Sequence, residues 1–541
     1  MLLPSQQRIS ALMRRLLLCC NSRHPSPCDN VTGHVIALNL SCSFLSGTFP
    51  SNSTLFFLRN LQSLNLAVND FRHSKIPSEI SQFTRLKHLD VSYSLFSGQV
   101  PREIAHLPKL VSLNLSNFAL ILETTTFKNL VHNLSEVREL VLLGVNMTSV
   151  NPRLFMNLSS SLTTLDLWES VLGRNFPNSI FRFPNLKRFS LGGNRFSLSG
   201  KGNLTIDLPS SNWSSPLQHL YLSVMDCGRR LPESIGDLKS LQSLGLLDCN
   251  LEGSIPASIG SIVNLRQLTS LSLSSNNLNG QIPPSLANLT QLTFLDLSDN
   301  QFSGPIPFHA SRHSNGLQSL VLSKNSIRGN IPEWICEKDD LEILDLSHNN
   351  LFGKIPNCLS KSLSVLNLRA NYFDGNIPKW ICEKDDLEIL DLSHNNLMKE
   401  IPKCLPKSLR VLNLQANYFD GNIPFWFPED CGLQNLNLHG NQMDGLLPRS
   451  LVNCSMLEVL DVGNNSIEDS FPHWLESLPH LQVLLLRSNK FHGSVQSTKE
   501  SPSFPKLRVL DLSNNDFLGP LPLRSQFLSI FTGCDMEGIR V

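Results

Sequence analysis

The stretch Gly329–Asp374 reads GNIPEWICEKDDLEILDLSHNNLFGKIPNCLSKSLSVLNLRANYFD, and Gly375–Asp420 follows it as GNIPKWICEKDDLEILDLSHNNLMKEIPKCLPKSLRVLNLQANYFD. These two copies of one cassette are offset by 46 residues, and each contains two repeats of 24 and 22 residues. Every repeat carries the pattern LxxLxLxxNxLxGxIP or a close variant. Because this period is sustained, the sequence indicates one solenoid of stacked repeats instead of several globular domains.

The same pattern recurs about twenty times between residues 35 and 526. The alternation around Leu295 and Leu297 is typical of a short strand whose leucines share one face. Stacking such strands in register closes a parallel ladder and buries columns of leucine. An asparagine eight residues after the first leucine, as at Asn300, is expected to pair with backbone groups of the turn. The predicted fold is an α/β-type repeat solenoid, with a parallel sheet on its concave face and mostly irregular or 3-10 segments on its convex face.

Composition excludes some partners and favours one compartment. Lys plus Arg equals Asp plus Glu at 45 each, and no basic block interrupts the repeats, so the sequence predicts no nucleic-acid partner. Thirteen cysteines and many Asn-x-Ser/Thr sequons favour an oxidising, glycosylating compartment. The glycosylation candidates are Asn114, Asn133, Asn157, Asn288 and Asn453.

The ends of the chain differ from the repeats. Residues 1–34 are interpreted as a degenerate N-terminal cap region without a convincing signal peptide, because Arg14 and Arg15 precede only LLLCC. The solenoid is assigned to 35–526, with 329–421 as the tandem duplication, and 527–541 form a short non-repeat tail. No stretch has the ~18 apolar residues of a membrane span.

The repeat LxxLxLxxNxLSGxIP resembles the plant extracellular type of leucine-rich repeat from about Val35 to Phe527. The segments CDNVTGHVIALNLSCSFLSGTFP from Cys28 and CGLQNLNLHGNQMDGLLPRSLVNCSMLEVLDVGNNSIEDSFPHWL from Cys431 are more narrowly similar to plant receptor-like proteins of the disease-resistance class. That class has extracellular repeats, one membrane helix and no kinase. The resemblance implies a leucine-rich-repeat horseshoe or superhelix at the cell surface.

The same resemblance implies a function in defence. An ectodomain of this class would bind a microbe-derived polypeptide on its inner face and signal through a partner receptor kinase at the plasma membrane. The chain departs from the class in two places: the text between Cys20 and Cys28 lacks the usual Trp, and no C-terminal cap or membrane helix follows the last repeat. The sequence is therefore interpreted as a truncated member. A secreted inhibitor of a microbial cell-wall-degrading enzyme and a non-functional truncated gene product are the alternatives.

Sequence motifs of catalysis are absent. The chain contains no HExxH, GxSxG, paired CxxC or Rossmann glycine motif. His348 and His394 occupy the same place in the two cassettes and would lie about 9–10 Å apart, two strands along the sheet, which is too far to share a metal. The chain is predicted to be no enzyme and to use no cofactor or metal.

Some cysteines fall at matching places of consecutive repeats. Cys431 and Cys454 precede the first leucines of their repeats by two and three residues, and stacking would bring them together. We therefore predict a disulfide between them, with free buried thiols as the alternative. The pairs Cys336 with Cys358 and Cys382 with Cys404 are similar but less well aligned.

The ligand-binding surface is expected at the outward positions two, four, six and seven residues after each first leucine. Repeats three to nine are irregular, because Phe118, Met225 and Cys249 stand where asparagine is expected. The outward residues of these repeats are often large or charged. Aromatic and arginine side chains on a rigid sheet suit a protein-binding hot spot, whereas neutral variation at exposed positions is the alternative. A second, weaker candidate is His439 with Arg487. The main candidates are His88, Asp90, Tyr93, Trp168, Glu169, Arg188, His219, Tyr221 and Asp248.

Overall fold

The computed structural model describes residues 28–29, 31–173, 175–193, 204–211, 213–260, 267–307, 316–359, 361–424, 427–495 and 504–519. The chain divides into two compact units, Met1–Asn277 and Leu278–Val541. Much of the predicted cap region and all of the predicted tail lie outside the described residues, so the predicted domain limits remain a prediction.

Short strands of the first unit form a parallel inner sheet, one strand per repeat. The strands pair in register, so that Leu38 lies opposite Leu64 and Leu64 opposite Leu89. In the three-residue strands the central leucine is buried between two flanking residues of the opposite face, as the period of two predicts. These strands are Ala37–Asn39, Ser63–Asn65, His88–Asp90, Ser112–Asn114, Glu139–Val141, Thr164–Asp166, Arg188–Gly192, His219–Ser223, Ser243–Gly245 and Ser270–Ser272.

The second unit has an inner sheet of the same kind. Its strands also pair in parallel with their leucines aligned, for example Leu344 with Leu366 and Leu366 with Leu390. These strands are Phe294–Asp296, Ser319–Val321, Ile343–Asp345, Val365–Asn367, Ile389–Asp391, Val411–Asn413, Asn435–Asn437, Val459–Asp461, Val483–Leu485 and Val509–Asp511.

Buried asparagines terminate the inner strands. Asn395 donates from Nδ2 to the carbonyl oxygens of Leu368, Leu392 and Ser393 at 2.9–3.1 Å, and its Oδ1 accepts from the N–H of Phe373 at 3.0 Å. The amide thereby satisfies backbone groups of two repeats that would otherwise be buried without partners. The predicted structural role of this asparagine is confirmed.

The residue before the asparagine position has an unusual backbone. It has φ between 49° and 58° at residues such as Val68, Tyr93, His348 and His394. A non-glycine residue in this left-handed region is uncommon and is held there by its surroundings. The strand therefore ends in a sharp turn, and the last outward side chain of each such repeat is set by that turn.

Repeat four departs from this geometry. Asn117 is buried and its Oδ1 accepts from the N–H of Ala119 at 3.0 Å, whereas Phe118 is 63% exposed. The N–H of Asn117 donates to the Leu143 carbonyl at 2.9 Å, as the seventh residues of the neighbouring repeats do, so Phe118 holds the eighth position as predicted. Its side chain is exposed there, whereas the asparagine of other repeats is buried.

The other side of the repeats carries mostly 3-10 helices, as predicted. Among the described residues the exception is the α-helix Thr124–Asn133, which buries Phe127 and Leu130 and for which the longer fourth repeat provides room. The 3-10 helices are Thr54–Phe57, Ser78–Gln82, Arg102–His106, Pro152–Asn157, Asn178–Arg182, Glu233–Asp237 and Ala257–Gly260 in the first unit, and Pro284–Asn288, Glu333–Glu337, Lys379–Glu383, Arg449–Asn453 and His473–Ser477 in the second.

Short lateral strands follow the asparagine turn in many repeats. They pair in parallel with the lateral strands of neighbouring repeats, as Phe352 does with Tyr372. The lateral strands are Gly98–Gln99, Leu120–Ile121, Glu252–Gly253, Asn277–Gln281, Gln301–Gly304, Ser326–Gly329, Asn350–Lys354, Tyr372–Gly375, Asn396–Leu397, Asp420–Asn422, Gln442–Asp444, His492–Ser494 and Asp516–Leu518.

Columns of leucine and phenylalanine form the core. Leu344, Leu366 and Leu390 are at most 1% exposed, and the stacked rings of Phe71 and Phe96 lie 4.8 Å apart in the first unit. Each fully buried side chain of this size contributes about 1.5–3 kcal/mol. The predicted fold class, a leucine-rich-repeat solenoid, is confirmed. Among the described helices, none is both long and apolar enough to cross a membrane.

Candidate functional site

All nine main candidates lie in the first unit, at or just beyond the ends of its inner strands. They form two groups along the sheet. His88, Asp90 and Tyr93 belong to the third repeat, and three strand spacings of about 4.8 Å separate that strand from Thr164–Asp166. The remaining six belong to consecutive repeats, the sixth to the ninth.

Three of these six are in mutual contact. Arg188 and His219 are paired in register on neighbouring strands. The Arg188 guanidinium lies 5.6 Å from the centre of the Tyr221 ring, within the range of a cation–π contact. The rings of His219 and Tyr221 are 6.4 Å apart and nearly parallel, at 10°. Arg188 is exposed and the two rings are partly exposed, so they present one continuous surface.

Glycines on neighbouring strands make room for the aromatic rings. Trp168 lies against Gly192, where a Cβ atom would collide with the indole ring. Tyr221 lies against Gly245 in the same way, since a Cβ there would come within 2.9 Å of the ring Cδ1. The rings thus rest on backbone and have little freedom to move. We call Trp168, Arg188, His219 and Tyr221 the aromatic patch.

The charge state of His219 follows from this packing. Burial, and secondly the nearby Arg188 guanidinium, lower the pKa of His219 below its ordinary value of 6.5. Its Nδ1 is buried and has no hydrogen-bond partner among the described residues. His219 is therefore neutral at neutral pH, and the positive charge within the patch is that of Arg188.

Two other candidates adjoin this patch in sequence. Glu169, at φ 54°, packs its side chain over Gly193. Asp248, at φ 52°, is held by a hydrogen bond from its own N–H to the carbonyl of Ser274 at 3.0 Å. Both occupy the left-handed position that ends the strand.

The third repeat is arranged differently. Asp90 accepts hydrogen bonds from the N–H of Ser92 and from Asn114 Nδ2, so its carboxylate is engaged by its neighbours. Tyr93 is 49% exposed and His88 is exposed, but no contact joins them to the aromatic patch among the described residues. The candidates therefore fall into two kinds: side chains in mutual contact within the aromatic patch, and separate exposed side chains such as His88 and Tyr93.

His439 and Arg487, the weaker candidate, lie in the second unit on either side of Gly463. A Cβ at Gly463 would come within 2.9 Å of His439 Nδ1 and 3.0 Å of Arg487 Cγ. His439 Nδ1 lies 3.4 Å from Asp461, and Arg487 lies 3.8 Å from Asp511. Both side chains therefore face carboxylates of the same sheet.

The sequence reasoning missed an apolar row in the second unit. Position two after each first leucine is β-branched in most of its repeats, and Ile343, Ile389 and Val509 are 36–47% exposed there. The corresponding residues of the first unit are mostly polar, as at Ser63, His88 and Glu139. The signal was present in the sequence as the β-branched residue that recurs two places after the first leucine of these repeats.

Disulfides link adjacent repeats. Cys431 and Cys454 are joined, with Cα atoms 4.6 Å apart. The pairs left open, Cys336–Cys358 and Cys382–Cys404, are also disulfides, with Cα separations of 5.1 and 5.3 Å. The sequence reasoning missed Cys227–Cys249, whose 22-residue separation equals that of the two cassette pairs. Each disulfide covalently links two neighbouring repeats.

The five glycosylation candidates differ in their surroundings. Asn133 and Asn157 are exposed at the ends of helices on the outer side, and Asn288 ends another. Asn453 donates from Nδ2 to the Phe427 carbonyl at 2.8 Å. Asn114 lies on the inner sheet, where its Oδ1 accepts from Ser116. A glycan at Asn114 would stand on the inner face itself, and all five sites remain predictions.

His348 and His394 do not belong to a metal site of the described chain. No group of three or more His, Cys, Asp or Glu side chains within the described ranges could hold a metal ion.

The fold defines the class of protein. The leucine-rich-repeat family model matches residues 431–491, and a second leucine-rich-repeat model matches 267–289, 291–311, 316–337, 340–361, 386–407 and 506–528. These matches show that the chain contains leucine-rich repeats, as predicted.

Curated proteins similar to this chain include plant receptor-like proteins. Receptor-like protein 9DC1 of Solanum pimpinellifolium is 38% identical over 229 residues, which are 42% of this chain and 25% of that protein. Receptor-like protein 6 of Arabidopsis thaliana is 38% identical over 226 residues, 40% of this chain and 22% of that protein. The chain therefore matches about a quarter of the length of these relatives.

Solved structures similar to this chain include two plant receptors. The Arabidopsis receptor kinase HAESA, solved with the peptide hormone IDA and the co-receptor SERK1, has a TM-score of 0.67 and 28% identity, covering 93% of this chain and 83% of that one. The plant peptide hormone receptor RGFR1, solved with RGF2, has a TM-score of 0.65 and 28% identity, covering 89% and 78%.

Proposed function

We propose that this chain is a ligand-recognition ectodomain that binds a polypeptide through the aromatic patch. The observation that carries the proposal is the contact of Arg188, His219 and Tyr221 on neighbouring strands, with Trp168 packed against Gly192 of the strand Arg188–Gly192. Large rigid side chains lose little conformational entropy on binding, and Trp, Tyr and Arg dominate protein-binding hot spots. The receptor-like relatives and the peptide-bound receptor structures support a polypeptide as the ligand.

The biological setting belongs to the same proposal. The ligand is microbe-derived, the chain acts at the cell surface in plant defence, and signalling passes through a partner receptor kinase. The resemblance to the disease-resistance class supports this setting, and the co-receptor in the HAESA complex supports a partner of that kind. In the proposed mechanism the chain first binds the polypeptide ligand and then forms a complex with the partner receptor kinase.

The test is the double variant Trp168→Ala/Tyr221→Ala. Peptides selected from a displayed random library on the wild-type chain are titrated against the variant. Loss of two hot-spot side chains costs about 2 kcal/mol or more, so we expect affinity to fall about 30-fold or more.

The matched control is Tyr372→Ala/Tyr418→Ala, which removes two tyrosines that are 56% and 52% exposed in the second unit. Their rings lie outside the aromatic patch, so the selected peptides should bind this variant like wild type. Equal affinity of wild type and Trp168→Ala/Tyr221→Ala for every selected peptide would overturn the proposed placement.

A further inference from the structure

Two glycosylation sequons lie on the inner sheet itself. Among the described inner strands of both units, only Ala37–Asn39 and Ser112–Asn114 end in an asparagine that begins an Asn-x-Ser/Thr sequence. Both asparagines stand four residues after the first apolar residue of their repeats, which is an outward position. Sugar chains at these two places would therefore stand on the face where a ligand is expected to bind.

One row of outward positions connects the two sequons. The register of the parallel strands places Asn39 beside Asn65, and Asn65 beside Asp90. Asp90 in turn lies beside Asn114. Three strand spacings, or about 14 Å, therefore separate the two sequon asparagines. The strand His88–Asp90 lies between them, so sugar chains on both sides would cover the third repeat.

The local hydrogen bonds leave room for a sugar on each amide. Asn39 Oδ1 accepts from the N–H and the hydroxyl of Ser41 at 3.0 and 2.8 Å, and its Nδ2 donates to no described residue. Asn114 Oδ1 accepts from the N–H and the hydroxyl of Ser116 at 3.1 and 2.7 Å. Its Nδ2 donates one hydrogen to Asp90 Oδ2 at 3.3 Å. Glycosylation replaces only one of the two amide hydrogens, so this bond is compatible with a glycan.

The aromatic patch has no such site on its own strands. The four inner strands from Thr164–Asp166 to Ser243–Gly245 contain no asparagine. The strand register continues the row from Asn114 to Tyr221 over four spacings, or about 19 Å. A glycan at Asn114 thus begins beside the third and fifth repeats and away from Tyr221.

We propose that Asn39 and Asn114 carry N-linked glycans that close the inner face of the first four repeats to polypeptides and leave the aromatic patch open. N-linked glycans are bulky and hydrated, so a protein surface beneath them is denied to a ligand. The glycosylation itself stands on the sequons and their geometry. Only the consequence for polypeptide binding rests on the proposed function.

The modification is a group transfer from a lipid-linked oligosaccharide pyrophosphate, the donor that the secretory pathway supplies. The asparagine Nδ2 loses a proton and forms a bond to C1 of the oligosaccharide. The bond from C1 to the phosphate oxygen breaks, and the lipid pyrophosphate leaves with the electron pair. No oxidant or reductant takes part.

Site occupancy is measured on the full chain, secreted from plant cells behind an added leader. Glycans are released enzymatically in water labelled with heavy oxygen, which converts each occupied asparagine into a labelled aspartate that mass spectrometry locates. We expect the label at Asn39 and Asn114. Asn65 is the matched unmodified site, because Ala67 stands where the sequon needs a hydroxyl. Ala67→Ser should add a third glycan to the row, since Ser41 occupies the equivalent place in the first repeat.

Shielding is measured by hydroxyl-radical labelling of the folded chain. In Asn39→Gln/Asn114→Gln, the labelling of His88 and Tyr93 should rise severalfold over wild type, because both side chains are exposed once the glycans are absent. Labelling within the aromatic patch should not change. The control is Asn157→Gln, which removes an exposed sequon at the end of an outer 3-10 helix and should leave both regions unchanged.

Trimming after folding removes the glycans without any substitution. Wild-type chain made with a mannosidase inhibitor is trimmed enzymatically to one sugar per site, so a variant that folds poorly does not decide the result. Peptides selected on the trimmed chain should include some that need His88 and Tyr93 and that bind the untrimmed chain roughly tenfold or more weakly. Peptides that need Trp168 and Tyr221 should bind both forms alike.

A bare Asn39 or Asn114 in the secreted chain would overturn the proposal, and so would labelling of His88 and Tyr93 that trimming leaves unchanged. Failure of the proposed function is seen separately. If no selected peptide depends on the aromatic patch while trimming still exposes His88 and Tyr93, the glycans stand and the patch proposal falls. If peptides depend on the patch and the two asparagines are bare, only the glycan proposal falls.

Discussion

Each of the two units builds an inner sheet of the same kind, but their repeats differ greatly in regularity. Every repeat of the second unit has asparagine at the turn position, from Asn300 to Asn515, and most present a β-branched residue at position two. In the first unit the turn position holds Ser94, Val145, Met225 or Cys249 in different repeats, and its outward positions are polar, aromatic or charged.

This difference shows that the turn asparagine is the best solution but not an obligatory one. Ser94 and Ser170 each donate their hydroxyl to a carbonyl of the preceding repeat, Leu66 and Leu142, at 2.6 Å. Met225 fills the same place with apolar volume and is 1% exposed. We call a turn strict where it has asparagine at the turn position and relaxed where another residue replaces it. Relaxed turns occur in the first unit, where the outward side chains vary from repeat to repeat. Strict turns occur throughout the second unit, where the outward side chains are similar from repeat to repeat.

The largest expected effect tests how far the strict turns stabilise the second unit. Asn395→Ala removes one acceptor and a donor shared by three carbonyls, and leaving such groups unpaired costs about 1–3 kcal/mol each. We expect a loss of about 3–5 kcal/mol. Ser170→Ala in the first unit removes a bond to one carbonyl and should cost about 1 kcal/mol.

Local hydrogen exchange is the right measurement, because long repeat arrays need not unfold in one step. Amides of residues 365–413 report on Asn395→Ala, and amides of residues 139–192 report on Ser170→Ala. If the two variants lower protection equally, the contrast between strict and relaxed turns has no energetic basis.

An intermediate effect is expected from the glycines under the rings. Gly192→Ala would displace the Trp168 ring that packs against Gly192. Overpacking of this kind lowers the free energy of unfolding by about 1–3 kcal/mol. Affinity for peptides selected on the wild type should fall as well. Gly463→Ala in the second unit would crowd His439 and Arg487 to a similar degree and should leave that affinity unchanged. Thermal unfolding and peptide titration of both variants distinguish a general packing defect from damage to the patch.

The smallest expected effect is a pH dependence. The folded-state pKa of His219 lies below its unfolded value, so the unfolded chain binds more protons as the pH falls below about 6.5. Stability is therefore fully present above that pH and decreases on acidification. His219→Gln should flatten the decrease within the first unit, and His394→Gln, whose histidine is shifted in the same direction, should do so in the second. Protection measured at pH 7.5 and 5.5 that changes identically in wild type and variants would contradict this assignment.

The sequence was sufficient for the features that every repeat shares. The leucine alternation predicted the inner strands, and the chemistry of the amide predicted the role of residues such as Asn69 and Asn395. These features depend on contacts between equivalent positions of adjacent repeats, and the repeat length fixes those contacts.

Other features depend on how unequal repeats meet, which the period does not specify. The packing of Trp168 against Gly192 depends on the register between the strands Thr164–Asp166 and Arg188–Gly192. The exposure of Phe118 depends on the contacts of one irregular repeat, and the pairing of Cys227 with Cys249 joins an irregular repeat to its neighbour.

The identical ends of the cassettes make copy number a genetic variable. Unequal recombination between the cassette that begins at Gly329 and the one that begins at Gly375 would delete or add 46 residues. The repeat pattern would continue uninterrupted across the new junction. A contracted allele would keep one histidine at the left-handed position and either arginine or glutamine after it, depending on where the exchange fell. An allele expanded by one cassette could carry two arginines in succession, because its first copy keeps arginine and its last copy keeps glutamine. The length of this segment in related alleles would therefore set how many copies of this inner face a chain displays.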